Sequence, residues 1–372
     1  MRIKRAIETV PGGLMVLPLL LGAVLNTLDQ AHLPAVERVL KAIGAPKVMT
    51  GGRTREVEIE GQKVKVKVGQ EEHYEFLHLG GFTTALLKSS AGVLIALFLF
   101  CSGSQMDLRV GARALKKGVL LTAAKYAAGA AAGYLMACFF DPLNGLLGLS
   151  TLAIIAATTN SNGGMYAALT EEYGSKSDVG AIAILSFNDG PVFTMLALGV
   201  MGERFPFAAF LAALVPIGLG MLLGNLDHDI RAFLAPGQRL TIPFFAFALG
   251  ATMDFRCFLR LDVLGAGLVL GLATVVLSAA AGVLVLRLFR EKSTIAGVAL
   301  ASTAGNATYT PTYIAAVAAS PAMAAKFGAI AEAATAQITI STLTTAILCP
   351  LAFVLWAKRQ ARRGIDLRAE KP

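Results

Sequence analysis

The stretch FLFCSGSQMDLR, Phe98–Arg109, is echoed far downstream by FFAFALGATMDFR, Phe244–Arg256. Gly103, Met106, Asp107 and Arg109 align with Gly250, Met253, Asp254 and Arg256 at an offset of 147 residues. A second pair, ATTNSN (Ala157–Asn162) and ASTAGN (Ala301–Asn306), aligns at 144, and PLLLG (Pro18–Gly22) aligns with PIGLG (Pro216–Gly220) at 198. The chain is written twice, and the larger offset at the start means that the first copy carries an insertion between its first two segments.

Composition says what kind of chain repeats itself. A mean hydropathy of +0.65, with 55% hydrophobic and 15% charged residues, lies outside the soluble range and marks a membrane protein. The net charge of +9 is distributed between apolar runs rather than gathered on a groove face with aromatics, which excludes a nucleic-acid partner. Cys101, Cys138, Cys257 and Cys349 lie in or beside apolar runs without CxxC spacing, and His32, His73, His78 and His228 fall in loops without partners at ligand spacing. Neither a disulfide frame nor a metal site is expected.

Ten apolar segments of spanning length run over about 12–28, 82–105, 118–140, 145–169, 179–201, 206–225, 240–253, 261–288, 294–318 and 327–356. With both termini placed inside, Arg109, Arg113, Lys116 and Lys117 share one inner loop and Arg287, Arg290 and Lys292 another. The short outer loops hold only Arg204, Arg256, Arg260 and Lys326. Five segments per copy is an odd number, so the second copy enters the membrane upside down. The expected fold is an all-α polytopic protein of two inverted five-helix repeats, residues 1–201 and 206–357, with a basic cytoplasmic tail at 358–372. The insertion, about 35–76, contains REVEIEGQKVKVKV (Arg55–Val68), whose alternating Val and charged residues around Gly61 predict an extracytoplasmic β-hairpin without a role in transport.

Polar residues at membrane depth are costly and face a cavity or another helix. The densest group is TTNSNGG, Thr158–Gly164, in the middle of the fourth segment, where Thr159, Asn160, Ser161 and Asn162 precede the helix-weakening Gly163 and Gly164. Its mate in the ninth segment is STAGNATYTP, Ser302–Pro311, with Thr303, Gly305, Asn306 and Tyr309 before Pro311. Two interrupted segments at corresponding positions point to a midplane binding site whose backbone groups help hold the ligand. In the fifth segment Asp189, beside Asn188, is the carboxylate nearest the centre of any segment and the candidate to take up and release a proton; its mate is the neutral Gln337. Lys125 in the third segment either neutralises a substrate carboxylate, pairs with Asp189, or snorkels to the inner surface. An intramembrane enzyme would need a nucleophile with its base, paired acids or a metal set at this depth, and one central Asp without His or GxSxG does not supply them.

At these residues a family resemblance becomes visible. IKRAIETVPGGLMVLPLLLGA, FLFCSGSQMDL, STLAIIAATTNSNGGMYAAL, LGNLD, IPFFAFALGATMDF and ILCPL together resemble the bacterial 2-keto-3-deoxygluconate permeases, from Met1 to about Trp356 apart from roughly residues 35–76. The resemblance implies a proton-coupled symporter of the bacterial inner membrane that imports a small keto-deoxy sugar acid without a cofactor. It also implies kinship with the bile-acid and sodium symporter fold, whose fourth and ninth helices break and cross at the substrate. By motif the site would fall on Asn160, Ser161, Asn162, Gly163 and Gly164, and by repeat symmetry on Thr303, Gly305 and Asn306. Where members of that family can carry acids this chain has Thr159 and Asn188, and its acid stands at Asp189, which leaves sodium coupling as the alternative to proton coupling. Oligomeric state and the particular sugar acid stay open at this level.

Overall fold

The computed structural model describes residues 13–59, 62–109 and 111–368. In chain order the elements over the sequence read as the first copy are α1 (Gly13–Gln30), α2 (Pro34–Ala42), β1 (Val48–Ile59), β2 (Gln62–His73), α3 (Gly81–Leu87), α4 (Ala91–Ser104), α5 (Ala112–Phe139), α6 (Thr151–Thr159), α7 (Gly163–Tyr173), α8 (Lys176–Gly180), α9 (Ile182–Leu185) and α10 (Val192–Val200). Those over the second are α11 (Phe207–Leu226), α12 (His228–Gly250), α13 (Arg256–Leu259), α14 (Leu261–Leu288), α15 (Ile295–Ala299), α16 (Thr310–Ala316) and α17 (Pro321–Arg362).

Among the described residues, six helices, α1, α5, α11, α12, α14 and α17, are long and apolar enough to cross a membrane. The number reaches eight if each of two bent pairs is one span: α3 with α4, bent by 60°, and Lys176–Asn188 with α10, bent by 64°. The fourth and ninth apolar stretches are not continuous helices. Each is broken in its middle, into α6 and α7 in one case and into α15, a 3-10 turn at Gly305–Tyr309 and α16 in the other. The chain is a multi-pass membrane protein.

Several boundaries differ from those read off hydropathy. The seventh segment, expected at 240–253, begins at His228 because the Asp227 carboxylate accepts from the amides of Asp229 and Ile230 and so starts the helix before its apolar part. The tenth extends over 42 residues from the Ser320 cap. At 1.5 Å per residue that is about 63 Å, roughly twice a hydrocarbon core and more than one crossing needs.

The sequence echo has a counterpart in contacts. The Asn26 amide donates to the Met253 carbonyl at 3.0 Å, and the Asn225 amide donates to the Met106 carbonyl at 2.8 Å, Met253 and Met106 being repeat mates. Likewise the Phe255 N–H donates to Thr27 Oγ1 at 2.7 Å and the Leu108 N–H to Asn225 Oδ1 at 3.1 Å. Thr27 and Asn225, and Phe255 and Leu108, are mates at offsets of 198 and 147. The helix pairs α1–α12 and α4–α11 are therefore held by equivalent bonds, and each crossing is close enough to need glycine on both sides.

In the outer loop β1 pairs antiparallel with β2, Val57 opposite Val64 and Ile59 opposite Gln62, while residues 60 and 61 lie outside the described residues. The loop is fastened by Asp29 at the end of α1, which accepts from the amides of Phe76 and Leu77 at 2.7 and 2.9 Å. Three histidines read as partnerless in the sequence come together here. His73 and His78 each lie 3.0 Å from the Glu75 carboxylate, and the His32 ring stacks edge-on against His73. Lys88 also pairs with Glu75. Burial pushes the Glu75 carboxyl up, but the bonds from Lys88, His73 and His78 outweigh it and hold the group at about 2. A carboxyl depressed below its ordinary value stabilises the fold above about pH 4.5, and that stability drains away as pH falls toward 2. Glu75→Gln should therefore lower stability by about 2–3 kcal/mol at pH 7. It should also flatten the fall in melting temperature of purified protein below pH 5; an unchanged pH profile would show that this cluster does not fasten the loop.

Candidate substrate site

The site is built from the two broken segments and the bend before α10. In the first break Ser150 caps α6 by accepting from the Ala153 N–H, and the helix stops at Thr159. Asn160 and Asn162 are extended, and Asn162 Oδ1 restarts the chain as α7 by accepting from the Met165 N–H at 3.0 Å. Because Gly163 and Gly164 are the first two residues of α7, their amides lie at the positive end of that helix. The second break follows α15, with Ala304 extended ahead of the 3-10 turn.

The two breaks touch. The Asn162 N–H donates to Ser302 Oγ at 3.1 Å, and Ser161 Oγ donates to the Leu300 carbonyl at 3.4 Å. Asn188 joins them, with Nδ2 donating to Ser161 Oγ at 3.2 Å and Oδ1 accepting from the Ser161 N–H. Next to it Gly190 takes φ +88°, a left-handed conformation, and Pro191 follows; the resulting bend turns Asp189 inward. Asp189, 7% exposed, accepts from Ser102 Oγ at 2.9 Å and from Asn306 Nδ2 at 3.2 Å. One carboxylate thus connects α4 of the first copy with the break of the second.

A cavity of about 960 Å³ lies against this junction. Asp189, Asn306, Gly305, Ser161, Asn162, Gly163 and Gly164 form part of its wall, and Met15, Phe98 and Phe245 add apolar surface. The wall continues to the exposed Glu171 and Arg239. Its volume is at the upper end of the range of small-molecule pockets, about 300–1,000 Å³. The Oδ1 of Asn306 is buried without a partner among the described residues, an open acceptor beside Asp189.

The other candidates lie elsewhere. Thr159 returns its hydroxyl to the Ile155 carbonyl, and Asn160 donates to the Ala156 carbonyl, both behind the cavity wall. Thr303 is tied to α17 through Thr345 Oγ1 and Ser341 Oγ. Tyr309 packs against the apolar cluster of α1, α4 and α12, with its hydroxyl beside Gly92 of α4. Gln337 donates to the Gly148 carbonyl and does not line the cavity, so it is not the spatial counterpart of Asp189. Lys125 neither pairs with Asp189 nor snorkels. It is fully buried, and its ammonium donates to the carbonyls of Leu300 and Ser302 at 2.9 and 2.6 Å. Those carbonyls end a broken helix and accept the bonds of the buried amino group where it stands.

Ser102, Gln105, Gln238, Arg239 and Thr342 also line the cavity and were not singled out from the sequence. Ser102 and Gln105 stand at i and i+3 inside the echoed stretch, a spacing that puts both on one helix face and could have identified them.

Broken helices meeting at a polar cavity, in a chain that crosses the membrane repeatedly, are the arrangement that holds substrate in membrane carriers. Residues 74–362 match the 2-keto-3-deoxygluconate permease family. Over 365 residues the chain is 42% identical to "2-keto-3-deoxygluconate permease 1" of Salmonella typhimurium, covering 98% of each protein. It is 36% identical to the 2-keto-3-deoxygluconate permease of Bacillus subtilis over 369 residues, covering 98% of this chain and 96% of the relative. The same figure holds for the Xanthomonas axonopodis permease over 372 residues, with 98% and 100% covered. The chain belongs to the 2-keto-3-deoxygluconate permease family.

Proposed function

We propose that this protein imports 2-keto-3-deoxygluconate, or a sugar acid of closely similar shape, across the bacterial inner membrane by proton symport with alternating access. The observation that carries this reading is the Asp189 carboxylate, held by Ser102 and Asn306 on the wall of the cavity where the two breaks meet. A charged carboxylate there takes the Asn306 Nδ2–H; a protonated one can instead donate to the unpartnered Oδ1 after the amide turns over. Asn306 can thus accommodate both states of the proton carrier while remaining in reach of substrate.

The amides of Gly163 and Gly164 at the start of α7 suit the substrate carboxylate, and Ser161, Asn162 and Asn306 suit its hydroxyls. In this proposal ten spans form two inverted repeats whose broken fourth and ninth members cross, and both termini lie in the cytoplasm. Glu171 and Arg239 then lie on the cytoplasmic side, and the cavity belongs to an inward-open state.

The test is uptake of labelled 2-keto-3-deoxygluconate into proteoliposomes under an imposed pH gradient, with and without sodium. Accumulation that follows the pH gradient alone is expected; no accumulation under any proton gradient would reject symport. Asn306→Ala should weaken calorimetric binding by about 0.5–1.5 kcal/mol and, because it also takes a donor from the buried Asp189, lower the melting temperature modestly while the protein still purifies folded. Asn162→Ala should lower both, because it also removes the cap of α7, which costs about 1 kcal/mol. Unchanged affinity in both variants would remove these residues from the site.

A further inference from the structure

A helix that stops at membrane depth leaves carbonyl oxygens without partners, and the negative end of its dipole draws a cation. In carriers built from broken helices, such half-helix C-terminal ends are where a coupling sodium is held. In this chain the C-terminal end of α15 runs into Leu300 and Ser302, and the cation on those two carbonyls is the Lys125 ammonium. Leu300 O also receives Ser161 Oγ, and Ser302 Oγ receives the Asn162 N–H. The ammonium therefore sits on the turn at which the two breaks touch.

Among the described residues the first break has no such cation. At the offset of 149 that aligns Gly118 with Gly267 and Gly133 with Gly282, the mate of Lys125 is Thr274, whose hydroxyl returns to the Leu270 carbonyl of its own helix. The carbonyl matching that of Leu300 is that of Ala156, and it receives the side-chain amide of Asn160. One half-helix end is closed by a neutral amide from its own chain segment. The other is closed by a lysine amino group carried in on a different helix, α5.

We propose that Lys125 is a tethered cation standing where a coupling sodium would otherwise bind, fixing the Leu300–Ser302 turn against the first break and making transport independent of sodium. This rests on the carrier reading above. Lys125 acts as a positioning residue, for it touches neither the cavity nor Asp189. Removing its side chain should leave a carbonyl-lined space of cation size, and sodium should then do what the ammonium did. Lys125→Met fills the same space with an apolar tip and should leave no room for the ion.

The experiment is counterflow of labelled 2-keto-3-deoxygluconate in proteoliposomes containing sodium or choline, together with melting temperatures of the purified proteins in the same salts. Wild-type exchange should be equal in both media. Lys125→Ala should fall by about tenfold or more in choline, the consequence of taking a charge from buried carbonyls, and recover in sodium. Its melting temperature should rise with sodium concentration, as binding to the folded state requires, while those of wild type and Lys125→Met stay level. Wild-type exchange that needs sodium overturns the inference, even if Lys125→Ala yields no folded protein. Full exchange by Lys125→Ala in choline overturns it too, as does equal impairment in both salts without a melting shift. If wild type does not exchange substrate at all, the carrier reading is what fails, and the sodium-dependent melting of Lys125→Ala still reports on the cation site.

Discussion

Asp189→Asn is expected to abolish accumulation of substrate against its gradient under an imposed pH gradient, while counterflow stays within about threefold of wild type. The amide keeps the size of the carboxylic acid and can meet the same partners. Its oxygen can accept from Ser102 Oγ or Asn306 Nδ2, and its N–H can donate to the Asn306 Oδ1 that is otherwise unpartnered. What it loses is the ability to exchange a proton. Counterflow asks only that the loaded carrier reorient, so it survives; net accumulation needs a charge cycle, so it does not. Glu171 also lines the cavity, but it is exposed, and Glu171→Gln should leave accumulation intact. Accumulation by Asp189→Asn at the wild-type level would move the coupling to another group.

What could be read from the sequence and what could not follow from the range of the forces involved. The repeat was visible because close helix crossings demand glycine and the bends beyond them demand the same polar bonds, so Gly103, Met106 and Asp107 had to reappear as Gly250, Met253 and Asp254. The breaks at Asn160–Asn162 and Ser302–Ala304 were legible because polar residues and glycine end helices locally. Partner choice was not legible. Lys125 has carbonyl oxygens as its ligands, and backbone atoms carry no sequence signature. Gln337 aligns with Asp189 by number, yet α17 runs unbroken through the position where the first copy bends at Gly190 and Pro191, so the two side chains do not occupy equivalent places. Helix starts at Asp227 and Ser320 were displaced from the apolar limits because a cap acts before the first apolar turn. The convergence of His32, His73 and His78 near Glu75 depends on how the loop returns to α1, a long-range fact that spacing does not contain.

The second large effect is expected at the helix crossings, where Gly220→Val and Gly250→Val should each cost more than about 3 kcal/mol and remove most folded protein. A Cβ on Gly220 would overlap the carbonyl oxygen of Phe100, and one on Gly250 would overlap that of Leu19. These are backbone atoms inside helices and cannot turn aside as a side-chain tip can. The mates behave alike: a Cβ on Gly103 meets the Ile217 carbonyl and one on Gly22 meets that of Phe247. Phe100 and Phe247 match at 147, and Leu19 and Ile217 at 198, so the two crossings are the same contact made twice. Small residues let membrane helices approach at their interfaces, since lipid gives no hydrophobic force to draw them together. Gly218 and Gly265 supply the control, because a Cβ at either meets nothing within 4 Å. Gly218→Ala and Gly265→Ala should purify in wild-type yield with melting temperatures within a few degrees, as expected for changes below about 0.5 kcal/mol. If the valine variants at Gly220 and Gly250 also purify as stable, monodisperse protein, the helices can separate without loss, and close crossing is not what holds the two copies together.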